Sequence, residues 1–502
     1  MPSYLLEIGC EEIPAAFIPS SSKYLLDEWT KRLSALNLPF SSIESGGTPR
    51  RLYVNIEGLP VSQVDKTEII MGPPANIAFN SDGSLTEAAK KFAASKGINE
   101  SSLKKVTTQK GDYLQGEKTT GGENTVALLL KTAPEIIKSI PFPKSMKWGD
   151  NDFKFVRPIH SILSVYDEKA LVFETYGITA SNITYGHRFL APDKIEVKSV
   201  AEYKEKLENA YVYVDTETRR KIILSQIKEI EAKENITVET DDELLNTVSD
   251  LVEYPYAILG SFEDSYLTLP EEVLITSMKI HQKYFPVRNS NDRLINKFVG
   301  IANIKSPNGD GTIRQGYERV LRARLNDALF FFNNDKKVKL EERAEQLKKV
   351  VYQEKLGTSY EKMERFKAVA GFLAEKLCSD KKESVEKTAY LCKADLLSEM
   401  VYEFPELQGI MGYYYAKHEG LDDDIACGIK EHYLPKFSGD VLPETETGRL
   451  TSIADKIDTI AGVFAAGMKP TGNLDPYGLR RNAIGIISII EQAGYRIELK
   501  DI

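Results

Sequence analysis

Cysteine is scarce: Cys10, Cys378, Cys392 and Cys427 are the four in 502 residues, and none sits in a CxxC spacing. That argues against both a disulfide framework and a zinc site, and it fits a reducing compartment. No apolar run reaches membrane-spanning length, so no membrane segment is expected. The opening residues, MPSYLLEIGCEE, carry acids and no basic start, unlike a secretory signal. Positive charge is also in deficit, with 65 Lys and Arg against 74 Asp and Glu, a formal net charge of −9. Tight non-specific nucleic-acid binding relies on a basic surface, so any RNA contact must come from local patches on an acidic body. A nucleotide cradle is missing too: there is no GxxxxGK[ST] loop and no GxGxxG after a strand. Internal repeats and low-complexity tracts are absent.

What is present is an ordinary globular composition, 42% hydrophobic and 28% charged, long enough for roughly two to four domains. The richest stretch is 269–335. Tyr284–Val287 and Phe298–Ile304 are β-branched and aromatic runs separated by Asn289, Asn291 and Asp292, a hairpin pattern. A helix follows, with Tyr317, Val320, Leu321, Ala328, Leu329 and Phe332 as its apolar face. Its polar side carries Arg314, Arg319, Arg322 and Arg324, whose planar forks suit phosphate oxygens. Pairing along the helix, Glu318 with Arg322 and Asp327 with Arg324, is the competing reading.

In chain order, Tyr4–Ile8 reads as a strand, then a helix with Tyr24, Leu25, Trp29, Leu33 and Leu36, then a strand at Leu52–Ile56. Arg50 and Arg51 precede that strand and face two readings, pairing with Glu11 or Glu12 and phosphate contact. Gly72-Pro73-Pro74 is a break. A helix at Thr86–Ser95 ends on Gly97, and Lys104–Thr119 reads as a ribbon turning at Gly111-Asp112. Asn124–Ile140 is an amphipathic helix closed by prolines, and a boundary is placed after it. Ser161–Tyr166 and Ala170–Tyr176 read as a hairpin around Asp167-Glu168, and Asp215–Glu234 as a charged, solvated or subunit-facing helix. Lys144, Lys147, Arg157, His160, His187 and Arg188 stand among Trp148 and Phe155. Basic groups with interleaved aromatics suit stacking on unpaired bases, and an aromatic core with solvated edges is the equal alternative. His160, amid apolar neighbours, reads as a core histidine and His187 as a loop residue. From Lys336 strand signals vanish. Helices are expected at Leu340–Val351, Tyr360–Leu377, Ser384–Val401, Asp422–Tyr433, Arg449–Phe464 and Asp475–Gln492, the last capped by Asp475 with Pro476 at its first position.

Several long words carry a resemblance: LLEIGCEEIPAAF at Leu5–Phe17, GGTPRRLYV at Gly46–Val54, KWGDNDFKFVRPIHSILSVYD at Lys147–Asp167, and YGHRFL at Tyr185–Leu190. They continue in MKIHQKYFPV, IRQGYERVLRARLNDALFFFNND, and ADKIDTIAGVFAAGMKPTGNLDPYGLRRNAIGII at Ala454–Ile487. With these words the chain resembles the beta subunit of the bacterial heterotetrameric glycyl-tRNA synthetase. The resemblance implies an α+β multidomain fold: an N-terminal α/β region at 1–140, a middle α/β domain at 141–335 like the B3/B4 domain of the phenylalanyl enzyme, and an all-helical HD-like domain at 336–502. The family continues into a helical anticodon-binding domain, so this chain looks C-terminally truncated.

The implied function is a tRNA-binding subunit of glycine-tRNA ligase, needed for charging by an alpha subunit that carries the glycine and ATP site. The short signatures of both synthetase classes are indeed absent here. ATP and Mg would be used by the holoenzyme and no cofactor bound by this chain. Expected partners are the alpha subunit, tRNA(Gly) and a second beta subunit, in the cytoplasm. Candidate RNA contacts are Arg50, Arg51, Lys147, Arg157, His187, Arg188, Arg314, Arg319, Arg322 and Arg324, and no residue is expected to be catalytic. The words LCKADLLSEM and IADKIDTIAG resemble the HD fold, whose active members bind metal through a His-Asp pair and a distal Asp. Here the pair reads Ala394-Asp395, with Asp455 as the distal acid. Two carboxylates without the imidazole make a poor transition-metal site, so no metal is expected, and Asp395 and Asp455 should pair with Lys393, Lys456 or helix ends. An editing hydrolase acting on mischarged tRNA and an HD-type metal phosphohydrolase are the alternative functions.

Overall fold

The computed structural model describes residues 2–64, 66–150, 152–468, 470–471, 475–498 and 500. The chain is mixed α/β, with several small sheets and a helical C-terminal region. It gathers into two compact units. The first is Met1–Glu234, Thr240–Ile258 and Ile301–Asp310; the second is Asn235–Glu239, Leu259–Gly300 and Gly311–Ile502.

The first unit is built on a five-stranded sheet. Strand β1 (Ser3–Cys10) lies at its centre, between β3 (Arg51–Glu57) and Ile159–Tyr166, with β2 (Ser42–Thr48) and Lys169–Ala170 outermost. Alternation along β1 feeds two cores. Tyr4, Leu6 and Ile8 join Leu25, Trp29 and Leu33 of helix Ile18–Ala35 and Leu129 and Ile136 of helix Thr125–Ser139. Leu5, on the opposite face, packs with Tyr53, Leu163, Tyr203 and Leu207. Glu7 shares the parity of Leu5, so an acid stands in a buried row.

Asp167 and Glu168 both take positive φ, as a two-residue hairpin turn requires. The returning strand is only Lys169–Ala170, because Glu174–Thr175 pairs with Ile178–Thr179 instead. The expected ribbon is three-stranded: Lys66–Pro74 is an edge strand beside Gly111–Thr120, which pairs in turn with Lys104–Thr108. Gly72, Pro73 and Pro74 close that edge strand rather than break the chain, and prolines are tolerated on an edge. Gly111 opens its strand opposite Thr108, which leaves Gln109 and Lys110 as the turn. The charged helix is Thr216–Glu234, and it buries Arg219, Ile223 and Ile227.

In the second unit Phe285–Arg288 pairs with Leu294–Ala302 around the expected turn. A π-helical stretch, Thr276–Gln282, runs into it and ends on Lys283 at positive φ. Helix Gly311–Asp335 buries Leu321, Leu325 and Ala328, while Val320, expected inside, is exposed. Beyond it the core is helical. Ser359–Leu377 opens with a complete capping box from Thr358 and Glu361. Leu340–Gln346 is shorter than expected, because a small hairpin, Val351–Gln353 with Gly357–Thr358, follows it. The expected Ser384–Val401 helix is broken into Lys382–Leu391, a 3-10 turn at Ala394–Leu397, and Glu399–Glu403, which Ser398 caps. Helix Ile410–His418 was not expected. The last helix starts at Leu479, so Pro476 lies before it, and Asp475 accepts hydrogen bonds from the Leu479 and Arg480 amides. No helix among the described residues is long and apolar enough to cross a membrane.

Candidate functional site

Where β1 runs into Gly9-Cys10-Glu11-Glu12, the Cys10 amide donates to the Arg50 carbonyl and the Ile13 amide to the Pro49 carbonyl. These bonds hold the GGTPRR turn against the end of β1. A Cβ on Gly9 would lie 2.3 Å from the Ser161 hydroxyl but 3.6 Å from the Ser161 carbonyl, so a larger residue there would turn the Ser161 side chain aside rather than part the strands.

Below the turn lies a buried ionic network. The Arg51 guanidinium, in a residue 4% exposed, donates to Glu253 Oε1 at 2.9 Å, Glu7 Oε2 at 3.1 Å, Thr184 Oγ1 at 3.2 Å and the Tyr185 carbonyl at 3.1 Å. Two carboxylates face one cation, and hydroxyls supply the balance. Tyr203 (2.7 Å) and Thr184 (2.6 Å) donate to Glu7, and Thr48 (2.6 Å) donates to Glu253. Burial opposes charge on Glu253, but Arg51 and Thr48 outweigh it and hold the carboxyl below its ordinary range. Arg51, read as a candidate phosphate contact, is thus enclosed with its guanidinium engaged. His187 is also buried; its Nδ1 accepts from the Phe189 and Leu190 amides, and burial lowers its pKa against the opposing pull of Glu253.

A cleft of about 350 Å³ opens above this network. At its mouth Glu11 receives Arg50 Nη1 at 2.8 Å and His160 Nε2 at 2.8 Å, with Arg188 at 3.7 Å; Arg188 lies 3.4 Å from Glu12. The expected pairing of Arg50 with Glu11 is therefore found. The two histidines exchange their expected places. His160 points to the exposed side of its strand, with a side chain 49% accessible, whereas His187 is the enclosed one. Lys147 is exposed beside Asp152 at 3.3 Å, and Arg157 donates to the carbonyl of Val156. Phe155 is buried, and Trp148 packs edge-on to Phe153 in the same core.

The arginine helix divides its charges. At about 100° per residue, Arg314, Arg322 and Arg319 fall within one broad arc and Arg324 falls outside it. Arg314 and Arg319 are exposed with no ion-pair partner among the described residues. Arg322 pairs at 2.6 Å with Glu263, not with Glu318, which instead accepts from Ser261. Arg324 is half-buried and lies 5.7 Å over the Phe404 ring, not beside Asp327.

At the positions the sequence suggests as a degenerate HD pair, Ala394 is buried, and Asp395 accepts from the amides of Gly409 (2.5 Å) and Gly412 (3.0 Å), a helix start rather than a metal. Burial pushes its carboxyl up to about 6. Asp455 is clamped by Lys362 at 2.7 Å and Lys393 at 2.8 Å. Burial works against its charge, yet the two ammonium groups hold its pKa well down. These residues do not fit a divalent ion: cationic side chains already occupy the distal acid, and no group of three or more His, Cys, Asp or Glu among the described residues is placed to hold a metal.

A family model described as the glycyl-tRNA synthetase beta subunit matches residues 4–502. The glycine–tRNA ligase beta subunit of Trichlorobacter lovleyi is 46% identical over 495 residues, 99% of this chain and 72% of the relative. That of Syntrophotalea carbinolica is 46% identical over 98% of this chain and 72% of its own length. The Geobacter metallireducens protein of the same name is 45% identical over 100% and 73%. The chain belongs to the glycyl-tRNA synthetase beta subunit family.

Proposed function

We propose that this chain is the tRNA-binding, non-catalytic subunit of glycine-tRNA ligase, acting in the cytoplasm beside an alpha subunit that forms the adenylate and, with a second beta chain, in a heterotetramer. The observation that carries it is the family match from residue 4 to 502 on a sequence without a nucleotide cradle. ATP and Mg are then used by the holoenzyme, with none bound here. The three regions, 1–140, 141–335 (B3/B4-like) and 336–502 (HD-like), serve as scaffold and tRNA-facing surface. Arg314 and Arg319 are the first candidates for phosphate because they are exposed and have no ion-pair partner among the described residues. Lys147, Arg157, Arg188 and Arg322 come next, since each would have to leave a local partner. Neither an editing hydrolase nor an HD phosphohydrolase is supported: the relatives carry the ligase name, and Asp455 is held by lysines.

The test is reconstitution. This chain with the alpha subunit should charge tRNA(Gly), and the chain alone should give no glycine-dependent ATP–pyrophosphate exchange. Exchange well above background without the alpha subunit would overturn the assignment.

A further inference from the structure

The helical region of the second unit holds a second cavity, open to solvent and of about 470 Å³, beside the positions read as HD-like. Three cations line it from separate parts of the chain: Lys436 after Pro435, Lys456 on helix Glu446–Ala465, and Arg481 on helix Leu479–Ala493. Lys456 is 6% exposed and already fixed, donating to the Leu434 carbonyl at 2.8 Å and the Ser452 hydroxyl at 2.6 Å. An ammonium carries three protons, so one remains. The side chains of Lys436, Arg481 and Asn482 have no hydrogen-bond or ion-pair partner among the described residues.

The cavity carries excess positive charge. Asp455, the buried acid in its wall, is matched by Lys362 and Lys393. Asp440 lies near Lys456, but its carboxylate caps the amides of Lys436 and Val441. Glu406, exposed, is the acid of the lining that remains unmatched. Burial pushes the Lys456 ammonium down to about 8, as expected of a cation that lacks a counter-ion of its own.

A second observation comes from His432, 0% exposed, in the same wall. Its Nδ1 lies 2.6 Å from the Ile429 carbonyl, which only accepts, so Nδ1 carries the proton. Nε2 is then a buried lone pair with no hydrogen-bond partner among the described residues. Buried acceptors of this kind are rarely left unmet. A ligand that meets the cations of the wall needs an anionic group for Arg481, Lys456 and Lys436, and a hydroxyl that reached His432 Nε2 would satisfy that lone pair as well.

We propose that this cavity binds a mononucleotide-sized ribose phosphate, either a free nucleotide or one nucleotide of a single RNA strand. Its volume falls within the range of small-ligand pockets and is too small for a duplex. The proposal does not depend on the assignment of the adenylate-forming site, because the alpha subunit is left out of the test.

The test is calorimetric titration of the full chain alone with AMP, adenosine, inorganic phosphate and a short single-stranded RNA. The expected result is saturable binding of AMP or of the RNA, competition by phosphate, and no binding of adenosine. AMP binding with weak RNA binding identifies the free nucleotide as the source; the reverse identifies the RNA strand. Arg481→Ala, at an exposed residue with no hydrogen-bond or ion-pair partner among the described residues, should weaken binding at least tenfold with an unchanged Tm. Lys436→Ala provides a second such variant. Absence of saturable binding of every probe to millimolar concentration, or binding that both variants leave unchanged, overturns the proposal.

Discussion

Arg51 serves two carboxylates that water does not reach, so its removal leaves Glu7 and Glu253 buried without a cation. Breaking a buried pair in this way costs about 3–5 kcal/mol. Arg51→Met should therefore lower the urea midpoint strongly, and Arg51→Lys should recover only part, since one ammonium cannot reproduce the fork. A variant with wild-type stability would show that the network is dispensable. His187 gives a pH signature. Burial lowers its pKa below the ordinary 6.5, so the unfolded chain takes up the proton more readily than the folded one. Its contribution is complete above about 6.5 and falls away as the pH drops through that value towards the folded pKa. Stability measured at several pH values should decline below neutrality, and His187→Gln should flatten the part of the decline that sets in as the pH falls below about 6.5. This network was partly legible in the sequence. A glutamate within the apolar word LLEIG is an anomaly in a central strand and marks Glu7. Glu253, 202 positions from Arg51, carries no local mark, and neither Thr184 nor Tyr203 differs from an ordinary strand or helix residue. The histidines exchanged places because a strand's two faces alternate, and neighbouring apolar residues do not say which face a given side chain takes.

At the scale of elements, end signals worked where a side chain makes the end and failed where tertiary contacts do. Asn124 accepts from the Val126 amide, and Gly97 takes the left-handed conformation after its helix, both as the residues suggest. The break at Ser398 was missed because a run of helix formers surrounds it. The helix Ile410–His418 was missed because its start is capped from afar by Asp395 rather than by a neighbour. Thr358 is the local kind of cap: its hydroxyl accepts from the Glu361 amide, and the Glu361 carboxylate accepts from the Thr358 amide. Thr358→Ala should cost about 1 kcal/mol, and Thr358→Ser close to nothing, by denaturant unfolding. The arginine helix shows the same limit. The sequence places four guanidinium groups on one element, but helical geometry turns Arg324 away and Glu263, remote in sequence, takes Arg322.

For the whole molecule, a net charge of −9 makes the few unmatched cations decisive. A polyanion approaching such a body is repelled on average and held only where guanidinium groups lack carboxylate partners. Arg314 and Arg319 meet that condition and are exposed; Arg322 is paired with Glu263, and Arg324 is half-buried against the Phe404 ring. Each phosphate contact contributes about 0.7–0.9 to the slope of log affinity against log salt. Arg314→Ala with Arg319→Ala should therefore weaken tRNA(Gly) binding by the reconstituted complex and flatten that slope by about 1.5. Arg322→Ala should change the slope less, because its guanidinium must first leave Glu263, and a loss of stability should accompany it. Arg324→Ala should act on stability alone, through the Phe404 contact. Filter binding across a salt series, with thermal melts of the same samples, separates the two effects. Equal slopes for the double variant and the wild type would place the tRNA on another face, and a fall in melting temperature for Arg314→Ala with Arg319→Ala would show that these side chains hold a partner within the fold after all.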